Sequence, residues 1–357
     1  MVQPTKRVLV VDDSAFMRGL VAEIVEFRDD FCVVGTASDG VEALEQVRLL
    51  QPDIVTLDIA MPRMDGLAAL ERIMSDSPRP VIVVSAAESA DFNKSAVKAL
   101  ELGAVEFVRK PSGPVSVDLV DIREQLIRAL DTASMVRFGP RVPQLKTAPR
   151  VSHEFAPPKP RRAARVVVIA ASTGGPRALA AVASRLPADL DAAVVILQHM
   201  PAAFVPTLAE RLQQICVLPV AVAHDRDQLL AGYVYVAPGE GQTSLRNVRQ
   251  GVVLQVESDD PLCAVRPSAD PLFRSAAEVF GRRAVGVVLS GMGHDGAEGL
   301  RVIRGAGGGA IVQDRATSII YGMPAAALAT AGADRIAAAD EIADAISALV
   351  SRPRRVA

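Results

Sequence analysis

Tryptophan is absent from the 357 residues, tyrosine occurs three times, and aromatic residues make up only 4% of the chain. A core without large rings must be filled by Val, Ile, Leu and Ala, and half of the chain is hydrophobic. That composition suits parallel sheets buried on both faces, so it favours an α/β fold over a sandwich or a barrel. Cysteine is equally scarce: Cys32, Cys216 and Cys263 stand singly, in an odd count and without metal-ligand spacing. A disulfide framework is excluded, and all three are expected to be reduced packing residues. The start, MVQPTKRVLVVDDS, has one short apolar run that ends in two aspartates, which neither a signal peptide nor a membrane span would tolerate. A cytoplasmic protein without direct membrane insertion is the expectation.

Net charge is also nearly lacking, at −2, but the sum conceals an uneven distribution. Residues 1–136 hold 14 Lys/Arg against 22 Asp/Glu, whereas 137–165 hold 8 against 1. The length fits two domains and a connector. The basic stretch, FGPRVPQLKTAPRVSHEFAPPKPRRAAR after Arg137, is rich in proline and poor in periodicity, which reads as an interdomain linker. The divisions expected are therefore 1–136, a Pro/Arg-rich linker over 137–165, and 166–357.

In the first domain five short apolar runs, Val8–Val11, Phe31–Thr36, Ile54–Leu57, Val81–Val84 and Val105–Val108, alternate with amphipathic helical patterns. Five strand–helix repeats imply a doubly wound parallel sheet, whose ligands bind beyond the carboxyl ends of the strands. The second domain repeats the pattern around Val166–Ala170, Ala193–Gln198 and Ala284–Ser290, with a β-rich middle containing VYVAP and VVLQV. It is expected to be doubly wound α/β with a β-hairpin insert.

Asp12 and Asp13 close the first strand, Asp58 the third, Ser85 the fourth and Lys110 the fifth. Three carboxylates brought together repel unless a hard cation lies between them, and Mg²⁺ prefers such oxygen ligands. A carboxylate beside that metal can attack a phosphoryl group, with Lys110 neutralising charge and Ser85 donating a hydrogen bond. Any one of these aspartates could merely cap a helix; five coincidences at one sheet edge argue otherwise. The segments VLVVDDS, TLDIAMPRMDGL, VVSA and VRKP resemble the response-regulator receiver family. The resemblance implies that Asp58 is the phosphorylated residue and that Asp12 and Asp13 hold magnesium with the Ile59 carbonyl. It also implies a cis peptide at Lys110-Pro111 and a switch aromatic at Phe107. Ala60, two residues after Asp58, leaves the phosphate open to water, so a short-lived phosphoryl group is expected.

In the second domain VVVIAASTGGPRAL runs an apolar strand into Ser172 and then a helix. Free N–H groups and the positive dipole end at such a terminus can stabilise an oxyanion, and Gly174 and Gly175 permit close approach of a substrate. A serine hydroxyl also requires a base and an orienting acid. Of the four histidines, His153 falls in the linker and His224 in the turn AHDRD, while His199 follows the strand AVVILQ. His294, in LSGMGHDGAEGL, is the rival. Asp295, after the strand VGVVLS and a glycine-rich turn, completes an expected triad of Ser172, His199 and Asp295. Its chain order and AASTG context differ from the G-x-S-x-G hydrolases.

STGGP, LQHMP and SGMGHDG, behind a receiver and linker, resemble the chemotaxis protein-glutamate methylesterase (CheB) family over nearly the whole chain. The resemblance implies hydrolysis of glutamyl methyl esters, and deamidation of particular glutamines, on the cytoplasmic helices of methyl-accepting chemoreceptors. It implies the histidine kinase CheA as phosphodonor and an oxyanion site around the backbone of Thr173 and Met292. Ala170 departs from the family's usual glycine, and His294 takes its variable position. No cofactor is expected in the catalytic domain, and the unphosphorylated receiver is expected to block substrate. A DNA-binding regulator is disfavoured by the balanced charge of 166–357, 17 basic against 18 acidic, and by the lack of a helix-turn-helix. Neither Gly305–Gly309 nor STGG forms a dinucleotide fingerprint, and the glycine run reads as a turn. The readings left open are a paralogue serving another signalling array and a receiver-linked docking protein.

Overall fold

The computed structural model describes residues 5–86, 90–110, 116–136, 138, 161–257 and 267–351. The chain divides into two compact units, Met1–Pro143 and Gln144–Ala357. Most of the expected linker, with His153, lies outside the described residues, as do Pro111 and Cys263.

In the first unit strands β1 (Lys6–Val11), β2 (Phe31–Ala37), β3 (Ile54–Leu57), β4 (Val81–Ser85) and β5 (Glu106–Arg109) alternate with helices. These are α1 (Ala15–Glu26), α2 (Gly40–Leu50), α3 (Gly66–Asp76), α4 (Ala90–Leu102) and α5 (Ser116–Met135). The sheet is parallel in the order β2-β1-β3-β4-β5. Each of the first three helices begins at a side-chain cap, Ser14, Asp39 and Asp65, whose oxygen takes a free N–H of the first turn. Leu9, Val55, Leu57 and Val83 pack against Val47, Leu70 and Ile73 of α2 and α3, burying the aliphatic runs that the composition required.

The second unit holds a seven-stranded sheet, parallel throughout, in the order β14-β13-β12-β6-β7-β9-β8. Its strands are β6 (Val166–Ala171), β7 (Ala193–Gln198), β8 (Val220–Val222), β9 (Val234–Val236), β12 (Ala284–Val288), β13 (Gly309–Gln313) and β14 (Arg335–Ala337). The helices are α6 (Gly175–Ala183), α7 (Val205–Ile215), α8 (Ala269–Phe280), α9 (Ala297–Gly305), α10 (Gly322–Thr330) and α11 (Ile342–Val350). An antiparallel hairpin of β10 (Gln242–Val248) and β11 (Gly251–Glu257) is inserted before α8. VVLQV lies in that hairpin, whereas VYV is β9 of the main sheet, in parallel register with β7. The glycine run read as a turn ends one element and begins another: Gly305 closes α9 and Gly309 opens β13.

From β6 the chain moves outward through β7, then returns to place β12 on the other side of β6. The strand order therefore reverses at β6, and in sheets of this kind ligands bind at the carboxyl edge beside such a reversal. β12, β6 and β7 are neighbours in space although they span residues 166 to 288.

Candidate active site and phosphoacceptor pocket

Ser172 and His199 follow the paired strand ends Ala171 and Gln198. Two features lock that pairing past the strands: the His199 N–H donates to the Ala171 carbonyl at 2.9 Å, and the Gln198 side chain bridges the loops. Gln198 Nε2 donates to the carbonyls of both Ser172 and His199, each at 2.9 Å. Among the described residues its Oε1 has no hydrogen-bond partner, and it faces Gly175, where an added Cβ would stand 2.0 Å away. Gly174, at φ +78, is equally constrained, since a Cβ there would meet Ser290 Oγ and Ile319. The loop after β12 closes on the same point: Ser172 N–H donates to the Ser290 carbonyl at 3.0 Å, and a Cβ on Gly291 would touch Ser172 Cβ.

Asp295 arrives on that loop, just before α9. Its Oδ2 lies 2.8 Å from His199 Nε2, which leaves Nδ1 as the ring nitrogen free to take a proton. The carboxylate also accepts from Ser268 Oγ at 2.8 Å, the Ala269 N–H at 2.7 Å, the Gly296 N–H at 3.0 Å and the Asp270 N–H at 3.3 Å. Burial opposes its ionisation, but the His199 bond, the Ala269 N–H and the Ser268 hydroxyl outweigh it and hold the carboxyl below its usual range. The N-terminus of α8 adds its positive end to this environment. Asp270 next door goes the other way: burial lifts it, against the N–H of Gly299, and the charge of Asp295 adds to the rise.

His294 is exposed, and among the described residues its side chain takes no hydrogen bond; its carbonyl caps Ala297 at 3.1 Å. His224 is exposed beside Asp227. Of the described histidines, His199 alone joins Asp295. The N–H groups of Thr173 and Met292 donate to no acceptor among the described residues, whereas those of Ser172, Gly175 and Gly291 are committed to carbonyls. Cys216 is buried and its thiol is pushed up to about 11 by that burial, as an inert packing residue should be.

In the first unit carboxylate oxygens of Asp12, Asp13 and Asp58 lie within 4.8 Å of one another. Lys110 Nζ bonds Asp12 at 2.7 Å and Asp58 at 2.6 Å, and Ser85 closes β4 beside it, its carbonyl accepting the Lys110 N–H at 2.9 Å. The Ile59 carbonyl accepts the Gly66 N–H at 2.9 Å, which leaves it a second lone pair. Gly66 is required there because a Cβ would stand 1.9 Å from the Asp58 carbonyl. Burial lifts the Asp12 carboxyl above its usual range against the pull of Lys110, and the Asp58 charge adds to the rise. Burial alone would lower the Lys110 ammonium, yet its bonds to Asp12 and Asp58 raise it. Three acceptor-only groups with surplus negative charge fit a hard divalent cation. Phe107 packs edge-on to Phe92 at 4.9 Å.

Sequence reasoning missed Gln198, Ser268, Gln242, Ser290 and Gln313. Gln198 carried a signal, a polar residue ending the all-buried strand AVVILQ beside the motif histidine. The others had none, because their partners are distant in sequence: Gln313 Oε1 accepts the Ser290 N–H at 2.7 Å, and Ser290 Oγ donates to the Thr173 carbonyl at 2.7 Å.

An acidic phosphoacceptor-type pocket on one parallel sheet, and a serine, a histidine and a carboxylate at the switch point of another, define a receiver joined to a hydrolytic domain. Residues 8–120 match the response regulator receiver domain, and 167–346 match the CheB methylesterase domain. A protein of Syntrophomonas wolfei named protein-glutamate methylesterase/protein-glutamine glutaminase 1 is 40% identical over 97% of this chain and 100% of its own. A protein-glutamate methylesterase/protein-glutamine glutaminase of Pyrococcus horikoshii is 41% identical over 95% of this chain and 92% of its own. The CheB methylesterase catalytic domain of Thermotoga maritima, a crystal structure, superposes with a TM-score of 0.51 at 35% identity, covering 52% of this chain and 98% of that one. The chain belongs to the CheB methylesterase family, and it is a carboxylic ester hydrolase with an N-terminal receiver domain. No helix among the described residues is long and apolar enough to cross a membrane.

Proposed function

We propose that the protein hydrolyses γ-glutamyl methyl esters, and deamidates particular glutamines, on the cytoplasmic helices of chemoreceptors, and that phosphorylation of Asp58 raises the rate. The observation that carries the reading is the 2.8 Å bond from His199 Nε2 to Asp295, beside a Ser172 loop tied to the His199 loop by Gln198. Asp295 fixes the tautomer that keeps the lone pair on Nδ1 of His199 and stabilises the imidazolium once it forms. His199 takes the Ser172 proton as Oγ attacks the glutamyl carbonyl. The N–H groups of Thr173 and Met292 stabilise the oxyanion, and Gly174 and Gly175 let the substrate approach. Collapse breaks the ester C–O bond, and His199 returns the proton to the leaving methanol; ammonia leaves instead when the substrate is an amide. Water, deprotonated by His199, then attacks the acyl-enzyme and releases glutamate and Ser172. No cofactor is assigned to this step.

In the receiver, Asp12, Asp13 and Asp58, with the Ile59 carbonyl, would hold Mg²⁺, which when bound neutralises charge on the incoming phosphoryl group. Asp58 is the acceptor, Lys110 and Ser85 contact the transferred oxygens, and a histidine kinase of the CheA kind supplies the group. Residues 1–136 and 166–357 are assigned as the two working domains with 137–165 as their tether, and the cytoplasm as their compartment. The reading is tested by methanol release from methyl-esterified chemoreceptor cytoplasmic fragments. Wild type should release methanol faster after incubation with a small phosphodonor and Mg²⁺, and Ser172→Ala should release it at least about 10⁴-fold more slowly. Equal release by both proteins would overturn it.

A further inference from the structure

Ser268 occupies the N-cap position of α8 yet makes no side-chain cap to its own helix. Its hydroxyl is directed instead to Asp295 Oδ1 at 2.8 Å, and the Asp295 carboxylate takes over the capping of α8 by accepting the N–H groups of Ala269 and Asp270. A residue of the proper type and place to cap has thus been diverted to a carboxylate 27 positions away.

The diversion is enforced from a second element. Gln242, the first residue of β10, accepts the Ser268 N–H on Oε1 at 3.0 Å and donates from Nε2 to the Ser268 carbonyl at 2.7 Å. One side-chain amide therefore grips both backbone polar groups of Ser268, much as a neighbouring strand would. Gln242 and Ser268 are both buried, and the two bonds between them are shielded from water, whereas the bond from Ser268 to Asp295 is half-buried. In such surroundings a hydrogen bond holds geometry firmly, and losing one leaves a costly unpaired group.

We infer that Ser268, gripped by Gln242, is a positioning residue of the hydrolytic site: it fixes the Asp295 carboxylate and, through it, the imidazole of His199. The inference rests on the reading of Ser172, His199 and Asp295 as a triad. It makes the first residue of the β10–β11 hairpin a working part of the site, three contacts removed from the reacting atoms. Without the Ser268 hydroxyl one carboxylate oxygen of Asp295 loses a donor, and the imidazole that the same carboxylate holds loses a fixed partner. Among the described residues the charge of Asp295 acts on Asp270, and Arg274 on α8 and Glu298 on α9 act on Asp270 in turn. All of these, and the exposed His294, are unaltered by the substitution.

The test uses the full chain with ¹³C-labelled histidine, where four imidazole signals are assigned by single His→Gln changes. In Ser268→Ala the ¹³C shifts of the His199 ring should move at fixed pH while those of the other three histidines stay in place, and methanol release from methylated receptor fragments should fall about tenfold. Ser268→Thr, which keeps the hydroxyl, should restore both. Gln242→Met should move the same His199 signals, and the double variant should go no further than Ser268→Ala alone. Unmoved His199 signals in a folded Ser268→Ala protein would overturn the inference, as would additive effects in the double variant. Should the parent release no methanol while the His199 signals move as stated, the positioning role stands and the proposed substrate falls.

Discussion

Each unit gathers its aspartates at the carboxyl edge of a parallel sheet, yet the two edges treat a buried carboxylate in opposite ways. Burial lifts the Asp12 carboxyl, the shared Lys110 ammonium and the Ser14 N–H fall short of offsetting it, and the Asp58 charge adds to the rise. Asp295 meets a histidine, a hydroxyl and backbone N–H groups at a helix terminus, and its carboxyl is lowered. Neutral donors saturate a carboxylate without bringing a second charge, so Asp295 can stay ionised beside an imidazole with no metal assigned to it. The receiver pocket, left with more negative charge than Lys110 can balance, is suited to a cation and a phosphoryl group that come and go.

That contrast is broken most severely by Ser172→Ala, which should lower methanol release by at least about 10⁴-fold while phosphodonor labelling of Asp58 persists. Asp58→Asn should do the converse, abolishing phosphoryl uptake and leaving hydrolysis unresponsive to a phosphodonor. Asp295→Asn should cost about 10⁴-fold in turnover by favouring the wrong tautomer of His199, whereas His294→Ala should stay within about twofold. Two glycines sharpen the comparison at intermediate size. Gly175→Ala would press on Gln198 and Gly66→Ala on the Asp58 carbonyl, so each should destabilise its own unit by about 1–3 kcal/mol. Hydrolysis should suffer in the first and phosphoryl uptake in the second, read by urea unfolding and the two assays.

The smallest expected effect is in stability against pH. Asp295 is depressed, so its contribution is present above the ordinary value of 3.8 and is lost as pH falls through its lower folded value. Asp12 is raised, so it favours folding below 3.8 and that advantage is lost as pH rises through its folded value. In EDTA, Asp12→Asn should therefore be the more stable protein at pH 7 and lose that lead at pH 3. Asp295→Asn should be the less stable at pH 7, with the gap closing as pH falls.

The strands of the first unit could be read within one or two residues, because each is a short aliphatic run bounded by turn residues. In the second unit the central strands β6, β7 and β12 were equally legible, which is why the residues after them could be nominated. The exposed edge strand β14 and the alanine-rich α10 escaped notice, since neither RIA nor GMPAAALAT carries a two-sided pattern. What could not be read was the second layer of the site. Gln242 and Gln313 lie on different strands from the residues they hold, and only the strand order β13-β12-β6-β7 with its inserted hairpin brings them near.

Ser172, His199 and Asp295 are claimed to act as one unit, and the rates of Ser172→Ala, His199→Ala, Asp295→Asn and the triple variant test that directly. Methanol release by the triple variant should be no slower than that of Ser172→Ala alone, since a nucleophile without its base and its base without a nucleophile are equally idle. Losses that multiply across the three substitutions would mean that the side chains work independently, and the account of the site would fail.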